Sequence, residues 1–416
     1  MKNSGIEWIG EIPDSWQLVN IGNVLKEYKN ENKLLDTHAL QFKYGTIVPK
    51  KETNATQDVL DILSKYNVVK PNIIMVNGLN LAFDFVTQRV ALVKENGVIT
   101  STYIALSPQN LVVPQYATYV LKSYDFQKVF HSLGRGLRCM LSYDVLRREK
   151  MPLPSLDEQK SIVNYLEQKL AEVDKLIEVQ QAQIEKLKEY KQSVITEAVT
   201  KGLDPNAPMK DSGVEWIGKI PTSWIVVKNK VLFRNVSIKG FGDSMVLSLY
   251  RDYGVIPKNS RDDNHNVTSL DTDSYKRVEI NDLVINKMKA WSGSLAISDY
   301  DGIISPAYYI CKVNYKYVDK RFIHNYLRNK YLVSLYEMYS AGLRVGQWDL
   351  SIDDFLNIEI ALPASIEEQV QIATFIDDKC AKIDKLIALK QSKIEKLQEY
   401  KKSLIYEYVT GKKEVM

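Results

Sequence analysis

Cysteine and long apolar runs are scarce in this chain of 416 residues. The three cysteines, Cys139, Cys311 and Cys380, lie far apart and form no CxxC pair, which excludes a disulfide framework and a zinc knuckle. No apolar stretch approaches the roughly eighteen residues of a membrane-spanning helix, and the first residues show no signal-peptide or transit pattern. We therefore expect a chain of the reducing cytoplasm with no membrane contact.

Sequence motifs of catalysis are also missing. There is no GxxxxGK[ST] P-loop, no GxGxxG after a strand, no HExxH and no Asn/Asp-Pro-Pro-aromatic tetrapeptide. The acidic residues after Pro154 superficially resemble the PD…ExK signature of nucleases, but they are compressed into a few positions, so we interpret them as a helix cap. We predict no catalytic, metal-binding or cofactor-binding residue in this chain.

The chain contains two copies of one plan. Residues 4–16 (SGIEWIGEIPDSW) recur as residues 212–224 (SGVEWIGKIPTSW), and the segments 174–191 and 384–401 share DKLI, IEKL and EYK at equal spacing. Each half therefore runs through a Trp-rich opening, a variable body and a long charged periodic segment. This order indicates a tandem duplication in which the bodies have diverged.

The two bodies have the patterns of mixed α/β domains. Short apolar runs at 90–93, 282–285 and 294–297 are bounded by Gly, Asn or Asp and predict strands. Segments near 115–131 and 319–338 predict amphipathic helices. We therefore predict an α/β mixed fold class with two pseudo-symmetric domains.

The periodic segments predict two long helices. Apolar residues step by four and three from Leu166 and again from Ile376, which is an a/d seam over more than four heptads. If a pseudo-two-fold axis relates the halves, the helices pair as an antiparallel coiled coil and the chain termini lie near each other. We predict two recognition domains, 1–154 and 204–364, and two coiled-coil helices, 155–203 and 365–416. Polar residues interrupt the predicted seam at Gln180, Lys191, Lys390 and Lys401.

Both helices have a sequence signal for their first turn. Ser155 precedes Glu158, and Ser365 precedes Glu368, each with the Ser-x-x-Glu spacing of a capping box. In that motif the serine hydroxyl accepts from the glutamate amide, while the glutamate side chain returns to the serine. We predict this reciprocal contact at both helix starts.

The net charge of +4 is too small by itself to indicate nucleic acid. The segment 156–199 has a net charge of −3 and 366–409 is neutral, so the remaining residues carry +7. This excess suits a phosphate-binding surface in the bodies, and a solvated surface of mixed charge remains the alternative.

The candidate recognition residues combine basic, amide and aromatic side chains. Arg and Lys can pair with guanine and Asn or Gln with adenine, while Gly-Arg turns recur at 134–138 and 341–344, where a domain-closing turn is the alternative interpretation. The candidates are Lys43, Tyr44, Asn77, Asn80, Gln88, Arg89, Arg135 and Arg138 in the first body, and Arg251, Tyr253, Lys287, Lys289, Trp291 and Arg344 in the second.

These motifs together resemble the specificity subunit of type I restriction–modification enzymes, over the whole chain and in the expected order. The resemblance rests on the opening Gly-x-Ile-Pro-x-x-Trp and on the helix entry Leu-Pro…Glu-Gln, each present twice. The matching residues are Gly10, Ile12, Pro13 and Trp16 with Gly218, Ile220, Pro221 and Trp224, and Leu153, Pro154, Glu158 and Gln159 with Leu362, Pro363, Glu368 and Gln369.

The resemblance implies a non-catalytic subunit that recognises a bipartite, asymmetric site in double-stranded DNA, one half with each domain. It implies two methylation subunits that bring S-adenosylmethionine and two restriction subunits that bring ATP and Mg, and hence a place in the cytoplasm at the nucleoid. The recognition bodies vary among members of this family, so the resemblance assigns no individual base-reading residue.

Three other interpretations remain open. The chain could be a coiled-coil scaffold without base specificity, although a scaffold does not require divergence between its two bodies. It could be the specificity subunit of another multisubunit DNA methylation system. A standalone nuclease would need an acidic constellation that the sequence does not contain.

Overall fold

The computed structural model divides the chain into two compact units, Met1–Gln181 with Gln391–Met416 and Ala182–Lys390. We call residues 1–155 the first arm and residues 202–365 the second arm. The structure describes residues 1–51, 56–85, 88–136, 139–251, 253–261, 272–340 and 348–415.

The first arm is a succession of short strands with a few helices. Its elements are β1 (Lys2–Asn3), β2 (Glu11–Ile12), β3 (Gln17–Asn20), α1 (Ile21–Val24), β4 (Leu25–Glu27), β5 (Leu40–Lys43), β6 (Thr46–Pro49), α2 (Gln57–Leu63), β7 (Tyr66–Val69), β8 (Ile74–Val76), β9 (Val90–Leu92), β10 (Gly97–Thr100), β11 (Ile104–Pro108), α3 (Pro114–Phe126), α4 (Val129–Leu133), α5 (Tyr143–Leu146) and β12 (Lys150–Leu153).

An antiparallel sheet with the strand order β4-β11-β8-β9 lies at the centre of the first arm. Its strand β8 is apolar at every position because both faces are covered. Ile74 and Val76 join a large cluster with Tyr116 and Val120 of helix α3. Met75, on the opposite face, joins a smaller cluster formed with β5, β6, β7 and β10. The sheet therefore separates two cores.

A long helix follows the first arm and leads into the second. This helix is α6 (Leu156–Lys201). The elements after it are β13 (Met209–Asp211), β14 (Lys219–Pro221), β15 (Trp224–Lys228), α7 (Asn229–Leu232), β16 (Phe233–Val236), β17 (Leu247–Tyr250), β18 (Gly254–Pro257), β19 (Lys276–Val278), β20 (Leu283–Asn286), β21 (Leu295–Ile297), β22 (Gly302–Ile304), β23 (Tyr308–Val313), α8 (Lys320–Leu327), α9 (Lys330–Tyr339), α10 (Ile352–Asn357), β24 (Glu359–Pro363) and α11 (Ile366–Val409).

The second arm repeats the topology of the first. Its central sheet has the order β16-β23-β20-β21, and the three predicted strands lie within one residue of β9, β20 and β21. Leu283 and Ile285 of β20 enter the large cluster, and Val284 enters the smaller one. The α/β mixed class and the pseudo-symmetry of the two arms are thus confirmed.

Each predicted amphipathic helix is two helices in the structure. In the first arm Lys128, with a positive φ of 60°, separates α3 from α4. In the second arm Asn329 separates α8 from α9, because its side chain accepts from the amides of Tyr331 and Leu332 at 2.9 and 3.2 Å. A left-handed residue or an N-cap restarts the helix without breaking the apolar pattern.

In the first unit, the start of α6 pairs with the end of α11. Lys401 forms an ion pair with Asp174, and the rings of Tyr165 and Tyr408 lie 4.5 Å apart. Since early residues of one helix contact late residues of the other, the helices run antiparallel, as predicted.

In the second unit, the end of α6 pairs with the start of α11 in the same way. Lys191 donates to Asp384 at 2.7 Å, and Lys390 donates to the Gln183 Oε1 at 2.6 Å. The predicted seam residues are buried or half-buried in both helices. Three of the polar interruptions, Lys191, Lys390 and Lys401, therefore make polar contacts across the pair.

The predicted capping box forms only in part. The Glu158 amide donates to the Ser155 hydroxyl at 3.3 Å, as expected. The Glu158 carboxylate, however, accepts from the Trp16 indole at 2.8 Å, which connects the helix to the opening motif of the chain. The same contacts recur at Ser365, Glu368 and Trp224.

A buried glutamine fixes each arm to its helix. The Gln159 Oε1 accepts from the amide of Val113 at 2.8 Å, and its Nε2 donates to the carbonyls of Leu111 and Pro154 at 3.2 and 3.0 Å. Gln369 bonds the amide of Asp319 and the carbonyls of Tyr317 and Pro363 in the same pattern. The Glu-Gln pair at the helix entry is thus a structural connection.

Residues near the two ends of the chain meet in the first unit. The Tyr406 hydroxyl donates to the Trp8 carbonyl at 2.9 Å, and the Lys412 ammonium donates to the Glu11 carbonyl at 2.7 Å. The prediction that the termini lie near each other is confirmed.

Candidate nucleic-acid interface

The hairpin of β5 and β6 places an exposed tyrosine at the edge of the first arm. Lys43 pairs with Thr46, so Tyr44 and Gly45 form a two-residue turn with positive φ angles of 48° and 72°. Tyr44 is 82 % exposed, and the Lys43 ammonium lies 5.9 Å from the centre of its ring. A Cβ at Gly45 would lie 2.5 Å from the Gln88 Oε1. The structure therefore brings Lys43, Tyr44 and Gln88 together.

The hairpin of β17 and β18 is the equivalent feature of the second arm. Tyr250 pairs with Gly254, which places Arg251 and Tyr253 in the tip. Tyr253 is 59 % exposed, and the Arg261 guanidinium lies 4.2 Å from its ring centre. Tyr253 thus lies at a hairpin tip as Tyr44 does, although Gly254 is the first residue of β18 whereas Gly45 lies within the turn.

A polar groove of about 580 Å³ lies beside this second tip. Arg251 and Tyr253 line it together with Lys191, His324 and Arg328. Burial lowers the pKa of His324 to about 4, with the nearby Arg328 acting in the same direction. The neutral ring accepts from the amide of Ile297 at 3.4 Å through Nδ1.

The loop between β8 and β9 contains four of the first-arm candidates, and it corrects one of them. Arg89 is fully buried, and its guanidinium donates to the carbonyls of Asn77, Leu79 and Asp84 at 3.1, 2.6 and 2.7 Å. A fully buried side chain whose two terminal nitrogens bond internal carbonyls has no exposed edge for a base. Arg89 is therefore a structural residue and not a base-reading one.

One buried and one partly exposed carboxylate lie close to Arg89. Its amide donates to the Asp125 carboxylate at 2.8 Å, and its guanidinium lies 3.5 Å from the Asp84 carboxylate. Burial raises the pKa of Asp125, while the bond from Arg89 opposes that rise. The loop is consequently anchored to helix α3.

Asn77 and Asn80 have different surroundings in this loop. The Asn77 Oδ1 accepts from the amide of Leu79 at 3.1 Å, so it closes a turn. Asn80 is exposed and adopts a positive φ of 52°. Of the two amides, Asn80 is the better placed for an external contact.

The loop between β20 and β21 occupies the same position in the second arm. Lys287 lies 3.6 Å from Asp349, and Lys289 is exposed. Trp291 is half-buried against Trp348, with ring centres 5.8 Å apart, and its indole donates to the Met288 carbonyl at 3.0 Å. Lys289 thus remains a candidate reader, whereas Trp291 and Lys287 hold the loop in place.

The Gly-Arg turn of the first arm packs beside the same loop. Arg135 is exposed, and its amide bonds the carbonyl of Met140 at 3.1 Å. Leu141 and Leu81 extend the contact through bonds to the carbonyls of Gly78 and Cys139 at 2.9 and 3.1 Å. The candidates Arg138 and Arg344 lie outside the described residues.

Sequence reasoning missed several aromatic and basic residues at these loops. Phe83 and Phe85 are 82 % and 56 % exposed, and the Phe85 ring stacks on His131 at 4.7 Å. Arg261 and Trp348 complete the second-arm clusters. These residues could have been identified in the sequence as aromatic side chains close to the Gly or Asn residues of a loop.

Within the ranges given above, no three His, Cys, Asp or Glu side chains are grouped to hold a metal ion. Over that same part of the chain, no helix combines the length and apolarity needed to cross a membrane.

Known proteins share this architecture. A specificity subunit of the type I restriction enzyme MjaVIII from Methanocaldococcus jannaschii is 26 % identical over 96 % of this chain and 93 % of its own. The fold resembles a chain solved to explain complex assembly and conformational transition of the type I R-M system (TM-score 0.68, 14 % identity, 96 % and 98 % covered). It also resembles the HsdS subunit from Thermoanaerobacter tengcongensis (TM-score 0.51, 16 % identity, 96 % and 98 % covered).

The family matches twice along the chain, and the two matches follow the internal repeat. They cover residues 13–189 and 230–399, each an arm with part of its long helix. The solved structures are similar in fold alone, whereas the family match extends over most of the sequence. The chain therefore belongs to the family described as Type I restriction modification DNA specificity domain.

Proposed function

We propose that this subunit recognises a bipartite, asymmetric site in double-stranded DNA, one half with each arm. One observation carries the proposal: the arms share their strand order and loop positions but present different side chains there. Two arms with the same strand order and different loop side chains can recognise two different half-sites.

The exposed residues at these loops have the chemistry for DNA contacts. Tyr44 and Tyr253 offer rings and hydroxyl groups, and Lys43 and Arg251 offer cations to phosphate or guanine. Asn80, Gln88, Arg135 and Lys289 complete the exposed set that we propose for the interface. Arg138 and Arg344 stay candidates on their sequence alone.

We propose that partner subunits supply the chemistry and that this chain has none of its own. Two methylation subunits would bring S-adenosylmethionine, and two restriction subunits would bring ATP and Mg. A complex that acts on chromosomal DNA works in the cytoplasm at the nucleoid. The relative from Methanocaldococcus jannaschii, named as a specificity subunit, supports this division of labour.

Exposed apolar pairs on the long helices would dock the methylation subunits. Leu176 and Val179 are 47 % and 42 % exposed on α6, one turn apart. Leu386 and Leu389 are 48 % and 59 % exposed at the equivalent positions of α11. Apolar residues at this spacing are suited to cover a partner helix.

Modified-base sequencing of genomic DNA, with and without the gene, tests the function. We expect a methylated motif with two specified halves that disappears with the gene. A Lys43→Ala/Tyr44→Ala variant should relax only one half, and an Arg251→Ala/Tyr253→Ala variant only the other.

Three results would point elsewhere. An unchanged methylation pattern would favour a scaffold without base specificity. If the methylated motif disappears with the gene but the complex does not cleave unmodified DNA, the chain would be the specificity subunit of another methylation system. Mg-dependent cleavage by the purified chain alone would make it a nuclease.

A further inference from the structure

The first-arm loop displays an apolar ring that the fold does not use. Phe83 is 82 % exposed, and within the described part of the first arm the buried clusters do not include it. An exposed ring of this size gains nothing for stability and lowers solubility. The ring is therefore available for an external contact.

The equivalent loops of the two arms differ in length, and Phe83 lies in the part that only the first-arm loop has. Both loops start with an asparagine whose Oδ1 accepts from the amide two residues later, at 3.1 Å for Asn77 and 3.2 Å for Asn286. Both then bury one apolar residue, Leu81 or Ala290. The first-arm loop, 78–89, is longer than its counterpart, 287–294, and Phe83 lies in the additional part.

One buried, one half-buried and one exposed side chain bond the backbone of Asp84 and Phe85. Arg89 binds the Asp84 carbonyl, and His131 bonds the same carbonyl at 3.1 Å. Lys128 donates to the Phe85 carbonyl at 2.5 Å. The two residues after Phe83 are thus held through their carbonyls, and Leu81 before it is buried and donates its amide to the Cys139 carbonyl at 3.1 Å.

The surroundings of Phe83 are those of a DNA-binding loop. The neighbouring exposed side chains include Asn80 and, on the adjoining turn, Arg135. Arg89 lies 3.5 Å from Asp84 and so offsets that negative charge. An apolar ring beside cations and amides fits DNA bases better than it fits an apolar protein groove.

We propose that Phe83 inserts between adjacent base pairs as a wedge when the first arm binds its half-site. This inference rests on the proposed function. Insertion costs the free energy of stacking between two base pairs. A loop held by internal hydrogen bonds keeps its ring extended against that cost, whereas an unsupported loop would fold back. A looser contact, such as one with a thymine methyl group, would not need the bracing.

Fluorescence of 2-aminopurine tests the wedge in the complex with methylation subunits. The base is placed at each position of the half-site that sequencing identifies. We expect a rise at one base step for the native complex, its loss for Phe83→Ala, and its retention for Phe83→Leu. Loss of base–aromatic stacking should weaken binding about ten- to hundred-fold. Met288→Ala in the second arm is the matched control and should leave this half-site unchanged.

The outcomes separate the wedge from the function itself. Site-specific binding with no fluorescence rise at any step would overturn the wedge alone, as would equal affinity for Phe83→Ala. Weaker binding after thymine-to-uracil replacement, without a fluorescence rise, would assign a methyl contact instead. No site-specific binding by the native complex would reject the proposed function. A cooperative thermal unfolding transition of the Phe83→Ala variant, measured alongside, would show that this variant is folded.

Discussion

The Trp16 indole donates a 2.8 Å hydrogen bond to the Glu158 carboxylate, across 142 positions of sequence. This bond connects the opening motif of the chain to the first turn of α6. The carboxylate also lies at a helix N-terminus, where negative charge is stabilising. The opening motif and the helix entry, which lie far apart in sequence, are therefore in direct contact in the first unit.

Trp16→Phe should destabilise the first unit by at least about 1.5 kcal/mol, because it removes a hydrogen bond to a charged group and replaces the buried indole with a smaller ring. Urea unfolding of the chain measures the change. Trp224→Phe, which removes the equivalent bond to Glu368, should cost a similar amount in the second unit. Unchanged midpoints for both variants would show that the bonds contribute nothing.

Arg89→Met should cost about 3–5 kcal/mol, because three loop carbonyls lose their donors and the Asp84 carboxylate loses its cationic partner, whereas the backbone bond to Asp125 is retained. The matched control is Arg135→Met, an exposed arginine of the same arm, for which we expect a change within about 0.5 kcal/mol. Equal effects in thermal unfolding would contradict the structural role of Arg89.

Leu176→Glu/Val179→Glu should weaken capture of one methylation subunit at least ten-fold, since charge replaces the exposed apolar pair. Leu386→Glu/Leu389→Glu should do the same for the other. The complex is measured by mass photometry. Glu178→Lys, a neighbouring surface change on α6, is the control, and a loss of subunits in this variant would argue against an apolar contact.

Acid should destabilise the chain partly through His324. Its pKa is about 4 when folded, below the ordinary value of 6.5, so the unfolded state binds the proton first. Stability from this group is present above pH 6.5 and falls as the pH decreases towards 4, by about 2–3 kcal/mol in total. Unfolding at pH 7 and pH 4.5 measures it. His324→Gln should show a smaller pH dependence, and an equal one would assign the loss elsewhere.

One heptad inserted into both 175–187 and 385–397 should lengthen the recognised DNA spacer and leave both half-sites unchanged. Helix α6 is continuous from the first arm to the second, and seven residues add about 10 Å, or about three base pairs. Modified-base sequencing gives the new motif. An altered half-site with an unaltered spacer would contradict the prediction.

The sequence allowed prediction of whatever depends on repetition or period. The duplicated motifs predicted two equivalent arms, and the heptads predicted the antiparallel pairs seen at Lys401–Asp174 and Lys191–Asp384. Tyr44 and Tyr253, both predicted as candidates, each lie at a hairpin tip and precede a glycine of positive φ, which is a local sequence pattern.

Long-range contacts could not be predicted in the same way. Arg89 follows a polar residue and has the composition of a surface site, yet carbonyls from three positions of the loop enclose it. Glu158 fits a capping box locally, but a tryptophan from the start of the chain provides its partner. The exposure of the Phe83 side chain could not be predicted, because the exposed fraction of a loop residue follows no sequence period.

The first unit is assembled from two stretches that are far apart in sequence, whereas the second is continuous from Ala182 to Lys390. During synthesis the second unit can complete itself while the ribosome is still translating. The first must wait until the residues around Tyr406 and Lys412 have emerged and can reach Trp8 and Glu11. The unit whose synthesis begins first is thus the last to be completed. A stop codon shortly before the end of the gene would therefore remove contacts that the N-terminal residues need in order to fold.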